Sequence, residues 1–89
     1  MAEVIIYRTN YCYYCDMAKR LFDELGVEYE QIDVTDDAEA RQRMVELSGG
    51  KRTVPQIFID GTPVGGFTDL QALHRSGKLD ELLEAGEEQ

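Results

Sequence analysis

Positive charge is scarce in this chain. Nine Lys and Arg stand against 18 Asp and Glu, for a net charge of −9 and a pI near 4.4. A nucleic-acid binder needs a basic footprint over the phosphates, and an anionic membrane surface needs the same, so neither partner is expected. Long hydrophobic runs are missing as well. The run Val4-Ile5-Ile6 falls far short of the ~18 residues of a membrane span. The start MAEVIIYR has no charged region followed by an apolar export segment, and a cytoplasmic location is expected. Cysteine occurs only twice, at Cys12 and Cys15, whereas a secreted disulfide scaffold spreads several along its length. Internal repeats, low-complexity linkers and composition shifts are all lacking, which predicts one domain over 1–89.

What is present suffices for a core. Leu, Ile, Val and Phe make up about a quarter of the residues, above the ~20% level below which a charged chain stays disordered. A chain this long buries roughly 60–65% of its unfolded surface.

The pattern along the chain alternates strands and helices. Residues 3–7 form a β-branched run that predicts a strand. Met17, Ala18, Leu21, Phe22 and Leu25 then recur at helical spacing, with Gly26 as the stop. A second strand is predicted over about 27–34 from Val27, Tyr29, Ile32 and Val34. Thr35, Asp36 and Asp37 offer N-caps for a helix through Ala40, Met44 and Leu47, ended by Ser48-Gly49-Gly50. Residues 56–60 and 62–65 flank Asp60-Gly61, a dipeptide of tight hairpin turns, and Pro63 restricts its strand to an edge or a first position. Thr68 and Asp69 read as the cap of a helix through Leu70 and Leu73 to Gly77; a last short helix carries Leu79, Leu82 and Leu83. The acidic tail 85–89 is expected to fray. The order β-α-β-α-β-β-α joins a right-handed βαβ unit to a hairpin in a four-stranded mixed sheet flanked by helices. That layout is the thioredoxin-like α/β fold.

Cys12 falls in the turn after the first strand and Cys15 in the first turn of the helix that follows. Helix amides pointing at Cys12 favour its thiolate, so its pKa is expected below the free value of ~8.5. Arg8, Lys19 or Arg52 can add positive charge. Cys15, deeper along the helix, reaches Cys12 across one turn: one thiol attacks and the other resolves. A structural zinc site needs four ligands, and beyond this pair the metal-favouring His and Cys are exhausted by His74 alone. A purely structural disulfide would close so short a loop that its entropic benefit is minimal. Redox chemistry is the reading that remains.

Three segments carry a resemblance over about residues 3–83. Tyr11-Cys12-Tyr13-Tyr14-Cys15, then Thr53-Val54-Pro55-Gln56-Ile57-Phe58-Ile59, then Gly65-Gly66-Phe67-Thr68-Asp69 resemble a glutaredoxin of the small bacterial class called glutaredoxin 3. The resemblance implies a cis Pro55 facing the cysteines, with the backbone of Thr53 and Val54 pairing with the cysteinyl part of glutathione. Gly65 and Gly66 allow the backbone to approach a ligand closely, and the resemblance implies that amides near Thr68 and Asp69 receive the γ-glutamyl carboxylate and that the Asp69 carboxylate meets the ammonium. Tyr14 matches the tyrosine bordering the glutathione groove. Tyr7 and Tyr29 are expected to pack on the sheet and His74 to lie on the surface.

Two positions depart from the family pattern. Thr9 stands where lysine commonly supports the thiolate and the glycyl carboxylate, which leaves Arg8, Lys51 or Arg52 as substitutes. Tyr13 stands where proline is usual, and the helix start gains an N–H donor. The resemblance implies a monomeric, glutathione-dependent thiol–disulfide oxidoreductase acting on protein disulfides and protein–glutathione mixed disulfides, at roughly −200 to −230 mV. Two alternatives stand beside it. One is a redoxin driven by thioredoxin reductase; the other is a dimer holding a [2Fe–2S] cluster between two Cys12 thiolates and two glutathiones.

Overall fold

β-branched and aromatic residues place Val4–Arg8 in the sheet as β1, and each face of that strand meets a different set of helices. The computed structural model describes residues 2–85. After β1 come α1 (Tyr13–Glu24), β2 (Glu30–Asp33), α2 (Ala38–Leu47), β3 (Gln56–Ile59), β4 (Thr62–Gly65), α3 (Phe67–Ser76) and α4 (Lys78–Ala85). The strands lie in the order β2-β1-β3-β4, with β1 parallel to β2 and antiparallel to β3, and β3 antiparallel to β4. This is the four-stranded mixed sheet of the thioredoxin-like fold. Of the tail expected to fray, Ala85 ends α4 and 86–89 lie outside the described residues.

Alternation along β1 and β3 sorts the core into two layers. Val4, Ile6, Ile57 and Ile59 face Ala18 and Phe22 of α1, Leu70 of α3 and Leu79 of α4. Tyr7 and Phe58 face Ala40 and Met44 of α2 on the opposite side, with their rings edge to face at 5.5 Å. The larger layer is the one beneath α1, and it anchors the helix that carries the cysteines.

Two boundaries differ from the sequence expectation. The second strand is shorter than 27–34, because Val27 and Tyr29 pack against the α1 layer without pairing to β1. Val27 instead donates its N–H to the Phe22 carbonyl at 2.9 Å, and Gly26 donates to Asp23 at 3.1 Å, the two bonds that close a helix end. The cap of α3 is Gly66, two residues before Thr68. Asp69 is the third residue of that helix, and its Oδ2 accepts from the Gly66 N–H at 3.1 Å. Asp37 caps α2 as expected, its Oδ1 accepting from Ala40 N–H at 3.0 Å. Pro63 sits in β4, at the sheet edge.

Candidate functional site

Cys12 is the N-cap of α1, with extended backbone, and it is half-buried; Cys15 is fully buried three residues on. The two are joined by a disulfide across a Cα–Cα distance of 5.2 Å. The Cys12 sulfur also accepts from the Cys15 N–H at 3.1 Å, and the Cys12 carbonyl accepts from Asp16 N–H at 3.2 Å. A helix start leaves its first amides free, and here the Cys15 amide meets the outer sulfur. Its partner is shielded from solvent. A vicinal pair with one accessible and one buried sulfur can pass between dithiol and disulfide by exchange with an outside sulfur.

Next to the Tyr14 that lies between the cysteines is a groove of about 240 Å³. Tyr14, Thr53, Val54, Pro55, Gly66 and Thr68 all line it, so six of the residues expected to hold glutathione are brought together. The Val54–Pro55 peptide is cis. Among the described residues, neither backbone group of Val54 has a hydrogen-bonding partner. Across the groove, the first main-chain bond of α3 runs from Leu70 N–H to the Gly66 carbonyl at 3.0 Å, which leaves the amides of Phe67, Thr68 and Asp69 without an intrahelical acceptor. Asp69 is not among the residues lining the groove; its carboxylate accepts from the N–H of Gly66, which is. Gly65 has φ +113, and a Cβ there would overlap the Asp69 carboxylate.

Two residues of this site were not singled out from the sequence. Phe67 lines the groove and stacks on Tyr14 with ring centroids 6.1 Å apart and planes at 24°. Its signal was present as the aromatic inside Gly-Gly-Phe-Thr-Asp. Gln56 is buried at 2% exposure, and its amide donates to the Thr53 carbonyl at 2.9 Å. A polar residue opening an otherwise apolar strand is the cue: buried amides are kept where they tie down a loop.

The expected sources of positive charge are differently placed. Arg8 Nη1 donates to Asp33 Oδ2 at 3.4 Å, and Lys19 pairs with Asp16 at 3.3 Å. The Asp33 carboxyl is held below the usual carboxylate range by Thr35, through its side chain first and then its N–H, which donates to Asp33 Oδ1 at 2.9 Å, with Arg8 adding to it. Lys51 and Arg52 are exposed, and neither forms a side-chain ion pair among the described residues.

A model of the glutaredoxin family matches residues 4–64. The chain belongs to the glutaredoxin family. It is 49% identical over 82 residues to glutaredoxin 1 of Rickettsia prowazekii (strain Madrid E), covering 91% of this chain and 86% of that one. It is 45% identical over 83 residues to glutaredoxin 3 of Escherichia coli (strain K12), covering 93% and 99%. Its structure is similar to that of a buckwheat glutaredoxin–glutathione complex, with a TM-score of 0.83, 33% identity, and 92% and 76% of the two chains covered. Family and fold make this glutaredoxin a thiol–disulfide oxidoreductase.

The remaining aromatic residues of this glutaredoxin divide by location. Tyr7 is buried against Phe58, and Tyr29 lies half-buried beside Phe22. Tyr11, Tyr13 and Tyr14 stand exposed around Cys12, and Tyr13 meets Tyr14 edge to face at 5.5 Å. His74 is exposed on α3. Among the described residues, no helix is long and apolar enough to cross a membrane.

Proposed function

We propose that this glutaredoxin is a cytoplasmic, monomeric, glutathione-dependent reductase of protein disulfides and protein–glutathione mixed disulfides. The observation that carries the reading is the groove beside Tyr14, where a free peptide segment faces the free amides of a helix start. Glutathione presents a peptide backbone, two carboxylates and one ammonium. An unpaired Val54 backbone suits its cysteinyl part, because strand-like pairing aligns a sulfur with Cys12 whatever the side chain. The amides of Thr68 and Asp69 suit the γ-glutamyl carboxylate, and the Asp69 carboxylate suits the ammonium. Tyr14, Thr53 and the cis Pro55 form the wall, and Gly66 keeps the rim low. Arg52 is the better candidate for the glycyl carboxylate, since Arg8 is engaged by Asp33.

The chemistry follows from which sulfur is accessible. Cys12 thiolate attacks one sulfur of a substrate disulfide, and the other sulfur leaves as a thiolate that takes up a proton. With a protein disulfide, Cys15 then attacks Cys12 and releases the second substrate thiol. The resulting Cys12–Cys15 disulfide takes two electrons from two glutathiones, which leave as glutathione disulfide. With a glutathionylated protein, the glutathionyl group moves to Cys12, and a second glutathione removes it without Cys15.

The thioredoxin-reductase-driven redoxin and the cluster-bridged dimer are not favoured beside this reading. The Gly-Gly-Phe-Thr-Asp end, which gives the groove one of its walls, has no task in a redoxin driven by thioredoxin reductase that matches its free amides. The test is reduction of a glutathione mixed disulfide coupled to glutathione reductase or to thioredoxin reductase. Turnover is expected with glutathione and glutathione reductase; turnover with thioredoxin reductase alone overturns the proposal. In the same assay Cys12→Ser abolishes activity. Cys15→Ser keeps deglutathionylation and loses dithiol reduction of protein disulfides, and joint loss of both in a folded variant refutes the division of roles.

A further inference from the structure

Tyr11, the residue before the nucleophile, has φ +56, in the left-handed region that an aromatic residue rarely enters. Its side chain is fully exposed at 106%, so no packing of the ring offsets the strain. The conformation must be held from its two sides. On the C-terminal side stands the cap of α1. On the N-terminal side, Asn10 donates its N–H to the Thr35 hydroxyl at 2.8 Å, a partner 25 residues away and two past the end of β2.

Thr35 is itself held. Its N–H donates to Asp33 Oδ1 at 2.9 Å, and Arg8 donates to Asp33 Oδ2 at 3.4 Å. The main chain closes the same loop, with Val34 N–H on the Arg8 carbonyl at 2.8 Å. Arg8 therefore reaches the site through a chain of contacts, Arg8 to Asp33 to Thr35 to Asn10, with Cys12 two residues beyond.

We propose that Thr35, clamped by Asp33 and Arg8, is a positioning residue for Cys12: it fixes the Asn10–Tyr11 segment so that the sulfur stays on the first amides of α1. The proposal rests on Cys12 being the attacking sulfur and is independent of glutathione. Slack in the segment lets Cys12 leave the Cys15 amide, and the thiolate loses part of its stabilisation.

The test is the pH–rate profile of Cys12 alkylation by iodoacetamide in the reduced protein, with melting temperatures measured alongside. Thr35→Val removes the hydroxyl at similar volume, and Thr35→Ser keeps it. In Thr35→Val the thiol pKa is expected to rise by about one pH unit, which lowers the thiolate fraction below that pKa about tenfold. Thr35→Ser is expected to follow the native profile. A Thr35→Val profile that superimposes on the native one overturns the proposal. So does a Thr35→Ser profile shifted as far as that of Thr35→Val, because the hydroxyl is then not the cause. Alkylation uses no glutathione, so failure of the glutathione reading shows in the coupled assay and leaves this result intact.

Discussion

Asp69 has two tasks in the proposed site, and two substitutions separate them. Its Oδ2 accepts from Gly66 N–H at 3.1 Å and so completes the start of α3, and its charge is proposed to meet the glutathione ammonium. Asp69→Ala removes both. Loss of a cap costs ~0.5–2 kcal/mol, and exposure of this residue places the value near 1 kcal/mol. For a domain of this size that lowers the melting temperature by about 4–8 °C. Asp69→Asn keeps an oxygen for the Gly66 amide and loses only the charge at the helix start, worth ~0.3–1 kcal/mol, so its fall in melting temperature is about half as large. Glutathione binding responds otherwise. A charge-assisted contact contributes about 1.5–3 kcal/mol, so KM for glutathione substrates rises roughly ten- to a hundredfold in both variants. Thermal melts and steady-state kinetics on the two proteins decide the matter. A native KM in both would make Asp69 a cap and nothing more. A raised KM in Asp69→Ala alone would show that groove shape, not charge, was lost.

Gly65→Ala places a Cβ against the Asp69 carboxylate at φ +113, so it is expected to cost about 1–3 kcal/mol in urea unfolding and to raise the glutathione KM as the carboxylate is displaced. Phe22→Ala empties a fully buried position under α1, and a loss of about 3–5 kcal/mol is expected from the urea midpoint at constant m-value. Asp33 supplies a pH test: its folded pKa lies below the unfolded value of about 3.9, so its contribution to stability is present above that value and is lost as pH falls through the folded pKa. The melting-temperature gap between native protein and Asp33→Asn is therefore expected at neutral pH and should close in acid; a gap that persists in strong acid contradicts the assignment.

Elements with a strong local signal were legible in the sequence. The α1 pattern ending at Gly26, the hairpin turn at Asp60-Gly61 and the edge position of Pro63 each follow from one residue's backbone chemistry. The second strand was overextended because Val27 and Tyr29 alternate as a strand would, whereas their burial is against α1 and needs no pairing. Thr68-Asp69 looked like a cap because its side chains are of the capping type; the acceptor reaches backward from Asp69 to Gly66, and a glycine gives no side-chain cue. Arg8 could be assigned as a neighbour of the cysteines by distance along the chain. Its true partner, Asp33, is opposite it in the β1–β2 register, and register is a long-range property. The same holds for Thr35, whose contact with Asn10 depends on two strand ends meeting.

The borders of the sheet decide how another protein can approach. β2 is four residues long and exposes Glu30, Gln31 and Asp33, and β4, equally short, carries Pro63, which has no N–H to offer. Short strands bearing charge or proline resist lengthening of a sheet by a foreign strand. A disulfide-bearing partner is thus turned away from both flanks. Unpaired main chain is left at Val54, inside the groove, where the proposed function would dock the peptide of a bound substrate. On the proposed function, a chain of any sequence would meet that peptide as a single extended segment and not as the edge of a folded sheet.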